Sequence, residues 1–338
     1  MNWDQFVNGI QKSSACISLL LNILLIWLIV KKSPAEMGSY RFLMIYTAFF
    51  EIIYSIVDVL ISPMLYSQGS MILVIVSVKN SILPKSVLLV LDCVWCGFLG
   101  VFMMLFCIQF VYRYFVVIGS KSLETFKDYR IIYWMMLPII SGTAWGAVVY
   151  FFMGPKVQTD DYLQHVLLTA LDLVYEETTY IGPRCYRTNS NGDLVIDTDS
   201  IISITCLVFV MVISLSCISY CATKTFLKIR ETLKVSTMKS NKFNRIQSQT
   251  FYALVTQALI PVILLHFPCS YVLCAAMLDI DLGHTSSIVS ITIAMFPALD
   301  PLPVMLIIQK YRGTLFSVIK TPVKIFVRRK TMSTNYNV

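Results

Sequence analysis

Six side chains stand where long hydrophobic runs ought to exclude them. Arg113 lies in Gln109-Phe110-Val111-Tyr112-Arg113-Tyr114-Phe115, which closes the third apolar run, and Asp300 lies deep in the last one, within Pro297-Ala298-Leu299-Asp300-Pro301. Glu51 and Asp58 fall on one helical face of the second run. Asp92 stands near the start of the third run with Trp95 a turn deeper, and His266 follows Pro261 within the sixth. A charge in hydrocarbon demands a partner, water or a proton, so each position is a functional candidate by default. Arg113 either exchanges hydrogen-bond partners between two states, as a five-donor guanidinium can, or anchors a helix end by reaching the interface. Asp300 suits a switch or an ion-linked role on one reading and a polar clamp on the other, with Glu51 and Asp58 placed to line the same interior. Asp92 and Trp95 suit a ligand contact, unless Asp92 is simply solvated, and His266 reads equally as a satisfied core imidazole.

The remaining reactive types argue against catalysis. Nine of the ten cysteines, Cys93 and Cys96 among them, fall within or beside apolar runs and read as packed small hydrophobes. Cys185 alone lies in a polar loop, where a bridge to Cys93 or Cys96 is an option if that loop is extracellular. No metal site is expected, because Cys93-Val94-Trp95-Cys96 is embedded in an apolar helix and no ligand-like spacing joins the three histidines. The sequence has no Gly-rich phosphate loop, nucleophile elbow, HExxH or Ser/His/Asp arrangement, so neither enzyme activity nor a cofactor is expected.

The elements that hold these residues must be membrane spans. With 57% hydrophobic residues, 14% charged and a mean hydropathy of +0.72 over 338 residues, the chain departs from the balance of a soluble domain. About 20 apolar residues make one spanning helix. The runs place spans at 10–30, 41–65, 86–117, 131–153, 198–223, 249–277 and 286–308, giving an all-α membrane protein, a seven-transmembrane helix bundle. Met71–Val78 is too short to cross and reads as a strand-like or re-entrant piece. The first run has no cleavage site before it and reads as a signal anchor.

With the N-terminus outside and the C-terminus inside, 21 of the 27 lysines and arginines face the cytoplasm, which fixes the expected orientation. The net charge of +8 is then one-sided, facing lipid headgroups and protein partners, and nucleic acid is not expected. Residues 1–309 form the membrane domain and 310–338 a cytoplasmic helix and tail, with Tyr311, Leu315, Phe316 and Ile319 as the apolar face of a short interfacial helix. The acidic loop 154–197 has turn chemistry suited to a hairpin or lid. No internal repeat is visible.

Several stretches together resemble one family. Gly38-Ser39-Tyr40-Arg41-Phe42-Leu43-Met44, Phe110-Val111-Tyr112-Arg113-Tyr114-Phe115, Ala253-Leu254 with Gln257 and Ile260-Pro261, Tyr180-Ile181-Gly182-Pro183-Arg184, and Pro297-Ala298-Leu299-Asp300-Pro301-Leu302 are similar, in order and spacing, to the nematode serpentine chemoreceptors of the str class. The resemblance implies an olfactory-type G-protein-coupled receptor of the plasma membrane, in sensory neurons and often their cilia. It would bind a small odorant or soluble chemical outside and a heterotrimeric G-protein α subunit inside. Depth and facing along the spans place the expected ligand contacts at Asp92, Trp95, Leu99, His266 and Tyr271; the switch is expected at Arg113, Pro261, Asp300 and Pro301, and the G-protein contact at Arg113, Tyr114, Lys228 and Arg245. Tyr112 departs from the pattern, standing where an acid often precedes that arginine, so the partner of Arg113 at rest is left unnamed. A ligand-gated cation channel and an ion-coupled transporter using Asp300 are the alternatives.

Overall fold

A computed structural model describes residues 3–79, 81–155, 174, 177–188, 193–235 and 241–317. Among the described residues, seven helices are long and apolar enough to cross a membrane. They are α1 (Trp3–Lys32), α2 (Tyr40–Ile61), α3 (Lys85–Ile118), α4 (Ile131–Met153), α5 (Thr198–Val235), α6 (Asn241–Pro261, continuing through Phe267–Met277) and α7 (Ile288–Leu299 and Pro301–Ile307). A short helix, α8, follows over 309–317. Its expected apolar residue Ile319 lies outside the described residues, as do Asp160, Asp161, Asp172 and Glu176 of the acidic loop.

The bundle is not purely α. Met71–Val78, with its β-branched run, supplies β2 (Met71–Ser77), which pairs antiparallel with β1 (Met64–Gln68) and with β3 (Thr178–Ile181). Gly69, at φ +54, provides the left-handed turn between the first two strands. The three-stranded sheet closes one end of the bundle, and β2 is buried from Met71 to Val76. It is stitched to the start of α7: Leu65 N–H donates to Ser290 Oγ at 2.8 Å, Ser67 N–H to Ser286 Oγ at 2.9 Å, and Gly283 N–H to the Ser67 carbonyl at 2.9 Å. A second hairpin, β4 (Tyr186–Thr188) with β5 (Leu194–Ile196), leads into α5.

Close packing centres on α3, which is the most buried of the long helices in its hydrophobic stretch after α7. Against α4 the backbones touch: a Cβ on Gly142 would sit 2.4 Å from Val101, and one on Gly97 only 2.7 Å from the Gly142 carbonyl. Proline shapes α6 and α7. After Pro261, residues Val262–His266 form a π turn within α6. In α7, Pro301 has no N–H to offer the carbonyl of Pro297, and Asn22 Nδ2 of α1 donates to that carbonyl at 3.1 Å instead.

Candidate functional site

Beneath the sheet lies a cavity of about 130 Å³. Its walls carry the rings of Tyr54, Trp95, Phe102, Trp145 and Phe296, and Leu65 and Val74 of the sheet roof it. Trp95 stacks on Tyr54, with centroids 6.2 Å apart, and its Nε1 donates to Asp58 Oδ1 at 2.8 Å. Asp58 therefore serves the cavity wall and does not join Glu51 and Asp300. Leu99 and Leu265 are shared with a deeper recess of about 30 Å³ that reaches Pro261 and His266. His266 Nδ1 lies 3.1 Å from the Pro261 carbonyl, while its Nε2 is buried without a partner among the described residues. Asp92 is fully buried at the sheet end of α3, and neither carboxylate oxygen has a donor among the described residues. Larger recesses of about 450 Å³ on the α3–α4 flank and about 270 Å³ at the rim near Lys12 are not lined by Trp95, Leu99 or His266.

Two expectations at this end need correction. Tyr271 is 63% exposed and faces away from the cavity, because Leu265, Cys269, Val272 and Ala276 carry the inward stripe of α6. Cys185 is a free thiol, as are Cys93 and Cys96. It is buried beside the sheet, where its N–H donates to the Ser70 carbonyl and its carbonyl accepts from Asp197 N–H. Cys96 instead lines the aromatic cavity, and the carbonyl of Cys93 faces Gly146 of α4.

Midway along the bundle, α1, α2, α6 and α7 bring four polar side chains together. Gln257 Nε2 donates to Asp300 Oδ2, and Glu51 lies beside both Asp300 and Asn22. Among the described residues, neither Glu51 oxygen has a donor in hydrogen-bond geometry, nor do Asp300 Oδ1, Gln257 Oε1 and Asn22 Oδ1. Two carboxyl groups in contact, without a basic side chain among these four, make the cluster sensitive to whatever relieves it, a proton or a cation.

At the opposite end from the sheet, Arg113 is 1% exposed. Its Nη1 donates to Gln247 Oε1 of α6 at 2.6 Å, and its Cζ lies 3.6 Å from the centroid of the Tyr40 ring of α2. Gln247 Nε2 donates onward to the Glu36 carbonyl at 3.2 Å, between α1 and α2. Tyr40 is held in turn, its hydroxyl donating to Gln109 Oε1 at 3.0 Å, and Gln109 Nε2 donating to Thr47 Oγ1 at 2.8 Å. Tyr112 stacks on Tyr40 and donates to the Met37 carbonyl at 3.3 Å, so it fastens α3 to the α1–α2 turn.

The expected surface of Arg113 with Tyr114, Lys228 and Arg245 is not assembled in this conformation. Lys228 bonds Glu231 at 2.8 Å, Arg245 donates to Gln309 at 2.7 Å, and Tyr114 packs against Tyr220, all away from the buried guanidinium. Sequence reading missed Gln247, Tyr40 and Asn22 as site residues: Asn22 is neutral within its apolar run, and Gln247 and Tyr40 precede the runs 249–277 and 41–65 and carry no charge. Tyr40 and Gln257 stood within the stretches that carried the resemblance.

A family profile described as serpentine type 7TM GPCR chemoreceptor Str matches residues 7–316. Among curated proteins, the chain is 29% identical over 314 residues to the G-protein coupled receptor str-217 of Caenorhabditis elegans, covering 93% of this chain and 90% of the relative. It is 24% identical over 315 residues to serpentine receptor class r-10 of the same organism, covering 93% and 91%. Among solved structures, squid rhodopsin superposes with a TM-score of 0.60 at 12% identity, over 93% of this chain and 81% of that one, a likeness of fold.

Proposed function

The chain belongs to the Str family of serpentine seven-transmembrane G-protein-coupled chemoreceptors, a multi-pass membrane protein and not an enzyme, and from that membership we propose how this copy senses and signals. A small molecule binds in the aromatic cavity beneath the sheet, which faces outside, and a heterotrimeric G protein docks at the Arg113 end, which faces the cytoplasm beside anionic lipid. The charge bias of the sequence supports this orientation. We place the receptor in the plasma membrane of a sensory neuron, at its cilium, as the family suggests. Neither relative reported above is named as a channel or a transporter.

The observation that carries the mechanism is the contact of Arg113 with Gln247, which ties α3 to α6 and keeps the guanidinium buried. A hydrogen bond to a charged group contributes about 1.5–3 kcal/mol, so this clasp alone supplies a few kcal/mol to holding α6 closed. A ligand shifts the balance only by its differential affinity for the two states. A molecule of about six or seven non-hydrogen atoms, binding at up to about 1.5 kcal/mol per atom, has enough energy to supply that difference. The π turn after Pro261 lies between cavity and clasp and provides the bend. When the cytoplasmic end of α6 leaves α3, Arg113 is uncovered in a cleft that receives a helix of the G-protein α subunit, with Tyr114, Lys228 and Arg245 at its margin. The Asp300–Pro301 break in α7 and the carboxyl pair with Glu51 add a second position at which the packing can change.

The test is agonist-driven nucleotide exchange on a G protein in membranes carrying the full chain. Arg113→Ala should abolish exchange while surface expression is kept, and Leu99→Trp, which fills the cavity, should abolish the ligand response. A ligand-evoked current persisting with G proteins blocked would sink the reading.

A further inference from the structure

The cavity has a polar reader whose chemistry selects among ligands. His266 ends the π turn, and its Nδ1 lies 3.1 Å from the Pro261 carbonyl oxygen. A carbonyl oxygen can only accept, so Nδ1 carries the proton of that bond. A neutral imidazole protonated at Nδ1 presents a lone pair at Nε2. Among the described residues, that Nε2 is buried and unpartnered, and no carboxylate acts on the ring. The ring therefore offers an acceptor to the recess that continues from the aromatic cavity through Leu99, Phe102 and Leu265. An acceptor left buried without a donor is costly, and the group that completes it must come from the occupant.

The rest of the lining sets the occupant's body. Among the described residues, no charged side chain lines the cavity or its recess. An apolar cavity of about 150 Å³ holds a molecule the size of benzene, so about 130 Å³ with a recess of about 30 Å³ takes a ligand of similar size or slightly larger. We propose that this receptor recognises small, predominantly apolar hydrogen-bond donors, the class of short alcohols and phenols, with His266 Nε2 accepting from the ligand hydroxyl. The proposal rests on the reading of this cavity as the ligand site. Because the His266 ring also bonds to Pro261 across the π turn, a ligand drawn to Nε2 pulls on the bend of α6 itself.

The Tyr54 hydroxyl is likewise buried without a partner among the described residues, on the α2 wall. It can donate, so a receptor governed by Tyr54 would prefer acceptors such as ketones. The comparison of 1-hexanol, hexan-2-one and heptane, each of about seven non-hydrogen atoms, separates the two, and phenol against toluene repeats it with an aromatic body. In membranes with the full chain and a G protein, 1-hexanol should reach half-maximal nucleotide exchange at a concentration at least about tenfold below hexan-2-one and heptane. Phenol should stand in the same relation to toluene. His266→Leu should bring the members of each set to within about threefold, the donor's bond having been removed. His266→Gln, whose amide oxygen reaches the Nε2 position, should restore part of the preference and shows that the fold tolerates change there.

Equal or greater potency of hexan-2-one or heptane would overturn the proposal. An unchanged ratio in His266→Leu, or silence toward all five probes, would do the same. Leu99→Trp separates this inference from its premise. Responses that survive the filled cavity refute the site itself, whereas responses lost in Leu99→Trp but indifferent to His266→Leu refute only the donor chemistry.

Discussion

Arg113 illustrates how burial decides the role of one residue. An arginine at a helix end can reach the interface, but here aromatic and glutamine side chains enclose it, and a neutral glutamine takes the place an acid would hold in a charged clasp. A neutral acceptor binds a guanidinium more weakly than a carboxylate does, which suits a clasp that a small ligand must open. Gln247→Ala should raise ligand-independent nucleotide exchange roughly tenfold, the equivalent of about 1.4 kcal/mol, while Gln247→Glu should lower it and shift agonist curves to higher concentration. Equal basal activity in both variants would remove the clasp from the mechanism. At the other end, burial pushes the Cys185 thiol up from its ordinary 9.0 to about 11. The folded state thus holds that proton more tightly than the unfolded chain. Its contribution to stability is complete below about pH 9 and is lost as pH rises through about 11. Alkylation of Cys185 read by mass spectrometry should be slow until that window, and reductant should leave the ligand response unchanged. A drop in response on reduction would show that the thiol is paired after all.

At the scale of elements, the sheet is the part that a helical reading of the chain hides. The stretch Tyr180-Ile181-Gly182-Pro183-Arg184 has a steric cause: a Cβ at Gly182 would lie 1.8 Å from the Ile72 carbonyl, so only glycine lets β3 approach β2 at this point. Gly182→Ala should separate the strands and open the cavity roof. Loss of agonist potency by at least about tenfold, with basal exchange little changed, is the expected result, since overpacking of this kind costs about 1–3 kcal/mol. If potency holds, the roof is not part of the ligand site. The same reasoning explains α3 and α4, where Gly97 and Gly142 leave no room for side chains and thereby seat Trp95 and Trp145 around one cavity.

For the whole molecule, the two ends are chemically different. One is a hydrogen-bonded sheet over an aromatic cavity, the other a polar network around a buried arginine, and the carboxyl cluster lies between them. The orientation proposed above predicts that an antibody to an N-terminal tag stains intact cells and one to a C-terminal tag stains only permeabilised cells. The reverse pattern would turn the bundle over and put the cavity on the wrong side for an external ligand.

Span number and type were legible in the amino-acid order because length and apolarity alone decide whether a helix can cross a bilayer. Arg113, Asp300 and His266 were legible for the related reason that polar groups in apolar runs need partners. Which partners they take was not legible, since Gln247 and Glu51 are distant in sequence and meet Arg113 and Asp300 only when α6 and α2 pack against α3 and α7. The facing of Tyr271 and the free state of Cys185 depend on helix rotation and strand register. The π turn Val262–His266 shifts the helical phase before Tyr271, and backbone bonds to Ser70 and Asp197 hold Cys185 beside the sheet, both of which only the assembled fold decides.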